Sequence, residues 1–385
     1  MGTAGHFWHL FTWHLFADGY LPDIALTSVL NSIQPMTVTP SPAIEPNRTL
    51  YSSDILQGLP IIHQLNCADL APGSHRFFWR GVAMGTGQHW YVPVMVTKGA
   101  QPGKRVMLTA GVHGDELSSM KAVQQVMAAL DPQTMQGTVT AVLGVSRAAI
   151  EFTQAQWQMA YGGGLSVDIN RTWPGDEQGG NPAIRHAGMI WNRLLQPNAD
   201  LALDFHTVST GAEFTLFLYA DLRDPTIRQM AELFPVDQVK DDPGESGTLE
   251  TAYVEAGIPA MTVEIGSPRI YDAAKIARAV TGTLNVLKQH GLVDIPWGAT
   301  AQEAGTFWGD QFEMIRSKTG GFLELLVDVG EAVEPNQRVA IQRNAFGDLV
   351  AEYHASVSGQ VATIARDALS EPGSRIMQIL YANRP

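Results

Sequence analysis

The stretch Arg105-Val106-Met107-Leu108-Thr109-Ala110-Gly111-Val112-His113-Gly114-Asp115-Glu116-Leu117 constrains this chain more than any other. A short apolar run closed by glycine, then Asp-Glu, then apolar residues at helical spacing reads as strand, tight loop and helix. His113 and Glu116 then stand where the strand hands the chain to the helix. Open α/β sheets take their ligands outside the carboxyl ends of strands. An imidazole and a carboxylate three residues apart on such a loop can converge on one metal ion, and they make half of a zinc site.

The same placement recurs downstream. Val92 to Thr97 and Arg105 to Ala110 are strand-like, Leu117 to Leu130 carries a helical stripe of Met120, Val123, Val126, Met127 and Leu130, and Thr138 to Val145 returns as a strand. That order implies a parallel sheet with a right-handed crossover. After a helix over Ala183 to Leu195, Leu201 to Thr207 forms a strand that ends in Asp204, His206 and Thr207. Asp204 and His206 point to one face of it, and such a carboxylate fixes the tautomer and raises the basicity of a metal-binding imidazole. Pro259 to Gly266 is a buried-type strand with a single acid, Glu264, near its end. A carboxylate there either faces a cleft or pairs with a cation. In a partly dry cleft beside a metal it has the position of a general base. Glu255 competes less well, because its segment is more polar and solvated.

Singly, each of these residues has a bland reading. A His-x-x-Glu spacing arises by chance, and a histidine such as His206 can simply cap a core strand. Their repetition at successive strand ends is the informative pattern. Two His and one Glu with an open fourth position form the ligand set of catalytic rather than structural zinc.

Between these segments lies Gly162-Gly163-Gly164, followed by Asp168-Ile169-Asn170-Arg171-Thr172-Trp173-Pro174-Gly175. Neither GxGxxG nor the Walker pattern is present, so the glycines read as a flexible loop and not as a phosphate cradle. In Asn170-Arg171 an adjacent amide and guanidinium can grip a carboxylate together. Taken alone, an exposed Asn-Arg pair is usually just surface.

Composition narrows the function class. With 385 residues, 45% of them hydrophobic, the chain can bury a large core and is long enough for two domains. No uninterrupted apolar stretch reaches membrane-spanning length. A formal charge of −13 without a Lys/Arg cluster argues against a nucleic-acid partner and for a small-molecule one. Cys67 is the single cysteine, so an intramolecular disulfide is excluded and a metal must be held by His, Asp and Glu. This fits a reducing compartment, and a cytoplasmic location is expected. Cys67 itself reads as a packed small apolar residue.

Residues 1–50 differ from the rest. Met1 to Tyr20 holds three His, two Trp and three Phe but no Lys or Arg. His9 and His14 interrupt what a secretory signal would need as a clean apolar run. Ile33 to Arg48, rich in Pro, Thr and Ser, reads as linker, and the whole extension is expected to lack stable order. Two readings stay open: a natural start at Met36, or a membrane-surface or export segment.

Gly111-Val112-His113-Gly114-Asp115-Glu116, Asp168 to Gly175, Asp204-Phe205-His206-Thr207 and Val263-Glu264-Ile265-Gly266 together resemble the succinylglutamate desuccinylase/aspartoacylase family, part of the wider zinc carboxypeptidase group. The resemblance runs from about Tyr51 to the C-terminus, with the four motifs in family order. It implies a mixed, mainly parallel sheet flanked by helices. It also implies one zinc ion per chain, bound by His113, Glu116 and His206. Glu264 would take a proton from the attacking water and pass it to the leaving amine, while Asn170 and Arg171 would hold the substrate's carboxylate. The implied substrate is an N-acyl amino acid or related small N-acyl amine. A carboxypeptidase-like action on short peptides and a catalytically silent metal-binding relative are the alternatives. One departure is visible: members usually carry another Arg shortly before the Asn-Arg pair, whereas Tyr161 to Val167 contains no cation. Either another arginine reaches in, with Arg147 and Arg185 as candidates, or zinc alone steadies the developing oxyanion.

A boundary at Pro296-Trp297-Gly298 separates an expected catalytic domain, residues 51–298, from a β domain, residues 299–385. Gly320 to Val333 reads as strand, turn, strand, and Ala355 to Val361 as another strand. The glycine-punctuated alternation suggests a small barrel or sandwich resembling a lipoyl or biotinyl carrier. Covalent attachment of either group needs a lysine at a hairpin tip, and none follows Lys318. A lid, a wall of the substrate channel or a contact in a homo-oligomer is therefore expected instead.

Overall fold

In the strand Gln101–Ala110 the second half, Val106 to Ala110, is fully buried, and this strand is central to everything that positions the site. The structure, a computed structural model, describes residues 42–383; most of the expected extension and linker lies outside the described residues. Gln101–Ala110 is flanked by Gln136–Leu143 and Leu201–His206, both parallel to it. Ala260–Ile265 then runs parallel to Leu201–His206 on its far side. These strands read as near-continuous apolar runs because both faces of the sheet are covered. Val106, Leu108 and Ala110 face a layer that includes Val123, Val126, Ile276 and Val286 from the helices Leu117–Ala129 and Ala273–Gln289. Met107 faces the opposite layer, with Ala183, Ala187, Leu249 and Tyr253 from the helices Pro182–Ile190 and Leu249–Glu255.

The full sheet has eleven strands and is mixed. Leu216–Ala220 adds antiparallel to Ala260–Ile265, and Gln238–Asp241 and Phe307–Gly309 continue parallel beyond it. The expected α/β class and mainly parallel core are what the chain builds. Element bounds shift modestly. The helix expected over Ala183 to Leu195 is α-helical only as far as Ile190 and widens to a π turn over Trp191–Leu195. Lys98 to Gly103, expected as a turn-rich connection, is already strand again from Gln101.

Strands after residue 310, joined by Ala212–Phe214, form a five-stranded and a four-stranded sheet around Val339, Val361, Ile376 and Ile379. They are stitched to the large sheet from both sides. Phe307–Gly309 extends the large sheet, while Ala212–Phe214, from the loop after His206, pairs antiparallel with Gly359–Ala365. Gly359–Ala365 in turn pairs with Arg375–Tyr381. The loop that follows His206 is thereby fastened to the β sheets. Among the described residues no helix is long and apolar enough to cross a membrane. Cys67 is buried, its thiol 3.2 Å from the Thr140 hydroxyl, and burial pushes it up to about 11, so it packs and does not act as a thiolate.

Candidate active site

The loop after Gln101–Ala110 can turn into its helix only with glycines at two places. Gly111 has a φ of +72°, and a Cβ on Gly114 would lie 2.1 Å from the carbonyl carbon of Ala149. That close approach of backbone to backbone sets His113 and Glu116 over the sheet's carboxyl edge. His206 ends the neighbouring strand, and Glu264 lies directly beside it in register on the next one.

Three of the expected residues converge. His113 Nδ1 lies 2.7 Å from Glu116 Oε1, and His206 Nδ1 lies 2.9 Å from Glu116 Oε2. One ligand atom from each residue lies within 4.8 Å of the others. Each imidazole is oriented from behind by an aspartate: His113 Nε2 is 3.2 Å from Asp168 Oδ1 and His206 Nε2 is 2.8 Å from Asp204 Oδ2. Asp204 is fixed in turn by the Thr109 hydroxyl, 2.6 Å away, from the central strand. Both rings therefore turn Nδ1 toward a common point, with Nε2 committed to a carboxylate, the arrangement that metal-binding histidines use.

The electrostatics fit a cation at that point. Burial alone would depress the His113 imidazolium, but the Glu116 and Asp168 carboxylates outweigh it and push it up to about 10. Burial likewise opposes charge on His206, and Asp204 with Glu116 raises it well above the ordinary imidazole value. Glu116, which burial would raise, is held down to about 2 by the two imidazoles. A buried carboxylate that sets one oxygen against each imidazole Nδ1, and is held ionised by them, has the donor chemistry of a zinc ligand.

Glu264 is the fourth participant. Its Oε2 is buried without a hydrogen-bond partner among the described residues. Burial, opposed by His206 and assisted by Glu116, pushes its carboxyl up to about 7. A proton acceptor poised near neutrality suits a general base.

These groups open onto a cavity of about 310 Å³, lined also by Asn170, Arg171, Tyr219, Asp242, Glu250, Arg375 and Gln378. Asn170 and Arg171 reach it on a 3-10 turn over Ile169–Arg171, started by Asp168, whose side chain accepts from Asn170 N at 2.9 Å. Asp168 thus ties the Asn-Arg turn to His113. Asn170 Oδ1 accepts from Leu249 N at 3.0 Å, which leaves its amide NH2 for a ligand. The Arg171 guanidinium lies 3.2 Å from Glu245 at the rim.

The arginine candidates do not arrive. Arg147 pairs with Glu151 at 2.6 Å, and Arg185 donates to the Gly179 carbonyl at 2.6 Å; neither lines the cavity. The further arginine there is Arg375, beside Gln378 on the strand Arg375–Tyr381. Its place is set by strand pairing some two hundred residues downstream of the Asn-Arg turn, so no local spacing announces it. Asp168 could have been found, since it begins the same motif as Asn170. Glu250 could not, because nothing local distinguishes it from a surface helix acid. Glu255, by contrast, is exposed, as its polar context suggests.

Residues 102–290 match the family model described as the succinylglutamate desuccinylase/aspartoacylase catalytic domain. The chain is 25% identical over 281 residues to N-alpha-acetyl-L-2,4-diaminobutyric acid deacetylase of Halomonas elongata, covering 70% of this chain and 80% of that protein. Its fold is similar to the product-bound ectoine utilization protein EutE (DoeB) from Ruegeria pomeroyi, with a TM-score of 0.72 and 21% identity over 81% of this chain and 97% of that one. It is also similar to a succinylglutamate desuccinylase/aspartoacylase from Rhodobacter sphaeroides, with a TM-score of 0.71 and 22% identity over 83% of this chain and 99% of that one. The converging His, Glu and His thus fall inside the segment, residues 102–290, that is a succinylglutamate desuccinylase/aspartoacylase catalytic domain.

Proposed function

We propose that this protein is a zinc-dependent amidohydrolase that removes the acyl group from a small N-acyl amino acid. The observation that carries the reading is the convergence of His113 Nδ1, His206 Nδ1 and the Glu116 carboxylate, each imidazole held by its own aspartate, next to Glu264. Zinc held by those three residues supplies a water activated near neutral pH and a polarised acyl carbonyl.

The chain's own groups do the rest. Glu264 accepts a proton from the attacking water as the new C–O bond forms. It returns that proton to the departing nitrogen as the C–N bond breaks, so the products are a carboxylic acid and a free amine. The Asn170 amide and the Arg171 and Arg375 guanidinium groups offer donors for the substrate's carboxylate. Arg375 and Gln378 make the C-terminal β segment a wall of the substrate cavity.

A cavity of about 310 Å³ suits a small N-acyl amino acid better than a peptide. The Halomonas relative, a deacetylase by name, agrees with that choice. The presence of Glu264 weighs against a silent metal-binding relative, because mere binding has no use for a general base. The test is hydrolysis of a panel of N-acyl amino acids by the wild type and Glu264→Gln, with zinc content measured in both. Turnover by the wild type and none by a variant that keeps its zinc is expected. Equal turnover in both refutes the assignment of Glu264, and no turnover on any member refutes the deacylase.

A further inference from the structure

We propose that Glu250 is an ammonium-binding residue of the substrate cavity, so that the amino acid released carries a second, cationic amine. This deepens the amidohydrolase reading and rests on it for the identity of the reaction. The side chain is 7% exposed and lines the same cavity as His113, His206 and Glu264. Asn170 Oδ1 holds Leu249 N, which pins the start of the helix Leu249–Glu255 against the Asn-Arg turn and sets Glu250 into the cavity wall.

What Glu250 lacks is a positive partner. Its one hydrogen bond among the described residues comes from the Thr251 hydroxyl to Oε2 at 3.2 Å, and Oε1 has no protein donor. The cavity's arginines are turned to other groups: Arg171 lies 3.2 Å from Glu245, and Arg375 donates to Gln378 Oε1 at 3.0 Å. Lys240 lies 3.5 Å from Asp242 and not at Glu250. A buried carboxylate without a cation is costly, and it either keeps its proton or waits for a charged ligand. Burial, reinforced by Asp242 and Asp204 against the Thr251 bond, does push Glu250 up to about 8.

A ligand ammonium answers this arrangement and a ligand carboxylate does not. An amino acid whose α-carboxylate meets Asn170 and Arg171 can extend a short aminoalkyl side chain to Glu250, with Asp242 adding negative potential. An aspartate or glutamate side chain would bring a second carboxylate to a wall that holds Glu250 and Asp242, and among the described residues would find no cation beside Glu250 to pair with. The cavity thus sorts side chains by charge: cationic in, acidic out.

Calorimetric titration of the zinc-loaded protein with 2,4-diaminobutyrate, 2-aminobutyrate and aspartate, in wild type and Glu250→Gln, tests this without turnover. A charge-assisted hydrogen bond in a buried site predicts that the wild type binds the diamino acid about 10- to 100-fold more tightly than 2-aminobutyrate. Glu250→Gln should bring that ratio to about one. A ratio near one in the wild type, a ratio that survives the substitution, or tighter binding of aspartate would each overturn the proposal; if the variant does not fold, the wild-type ratio decides alone. Ammonium preference without hydrolysis of any N-acyl amino acid would sink the amidohydrolase reading and leave the subsite standing. Hydrolysis without ammonium preference would do the reverse.

Discussion

The unpaired burial of Glu250 has a thermodynamic signature that can be read without any ligand. Its carboxyl is pushed from an ordinary value of 4.5 to about 8 in the folded protein, chiefly by burial. In the unfolded chain it ionises near the ordinary value, so the two states differ in bound protons between those limits. The folded pKa is raised, hence the unfolded state gives up its proton first as pH rises. Stability is unaffected below about pH 4, declines across the window and levels off above about pH 8. At about 1.4 kcal/mol per unit the loss has a ceiling near 5 kcal/mol, with roughly 3 kcal/mol already lost at pH 7. Zinc nearby lowers that ceiling by favouring the charged form. Glu250→Gln removes the ionisation and keeps the shape. Its urea midpoint, measured on the zinc-loaded protein, should therefore gain on the wild type progressively between pH 5 and pH 8, by on the order of 1 M, with an unchanged slope. A midpoint difference that stays constant across that pH range would refute the reasoning, because it would mean that Glu250 ionises alike in both states.

Further outcomes follow from the same geometry. His113→Ala should abolish stoichiometric zinc binding and turnover together, whereas Glu264→Gln should keep the metal and lose about 10²–10⁴ in kcat; plasma emission analysis beside the assay separates the two. Asp168→Asn and Asp204→Asn, which free the imidazole Nε2 atoms from their carboxylates, should each weaken zinc affinity about 10- to 100-fold in chelator competition. Arg375→Ala should raise KM for N-acyl amino acids by about tenfold or more with a smaller change in kcat, and an unchanged KM would remove the C-terminal segment from substrate binding. Gly114→Ala forces a methyl to within 2.1 Å of the Ala149 carbonyl carbon and should cost several kcal/mol of stability with the His113 loop displaced, seen as a lower melting temperature and weaker zinc retention.

How much of this was legible beforehand depends on how each residue reaches its place. His113 and Glu116 were readable because a strand, a glycine turn and a helix are consecutive in the chain, so local pattern already implies where the side chains stand. His206 and Glu264 needed one further step, the rule that parallel strands end on a common edge, and their register is indeed side by side. Asp204 was readable as the partner of His206 from strand alternation alone, since residues two apart share a face. Asp168 was in view as the first residue of the Asn-Arg motif, but not its role behind His113, because that contact spans a loop whose path no periodicity encodes.

Arg375 and Glu250 mark where local reasoning ends. Arg375 enters the cavity only because Ala212–Phe214, just past His206, pairs with Gly359–Ala365, which in turn carries Arg375–Tyr381. Two successive strand pairings, each between segments distant in sequence, determine that position. Hydrophobic alternation marks the strands but not which edges meet. Glu250 is hidden for a different reason: an acid near the start of a helix is ordinarily solvated and favourable there, whereas this helix is docked in the core, with Leu249 N bonded to Asn170, and the acid is buried with it. The converging His-Glu-His centre is therefore encoded in short segments, whereas the features that would choose among substrates are encoded in how those segments dock. A family that keeps the former and varies the latter can conserve one reaction while changing the amine it releases.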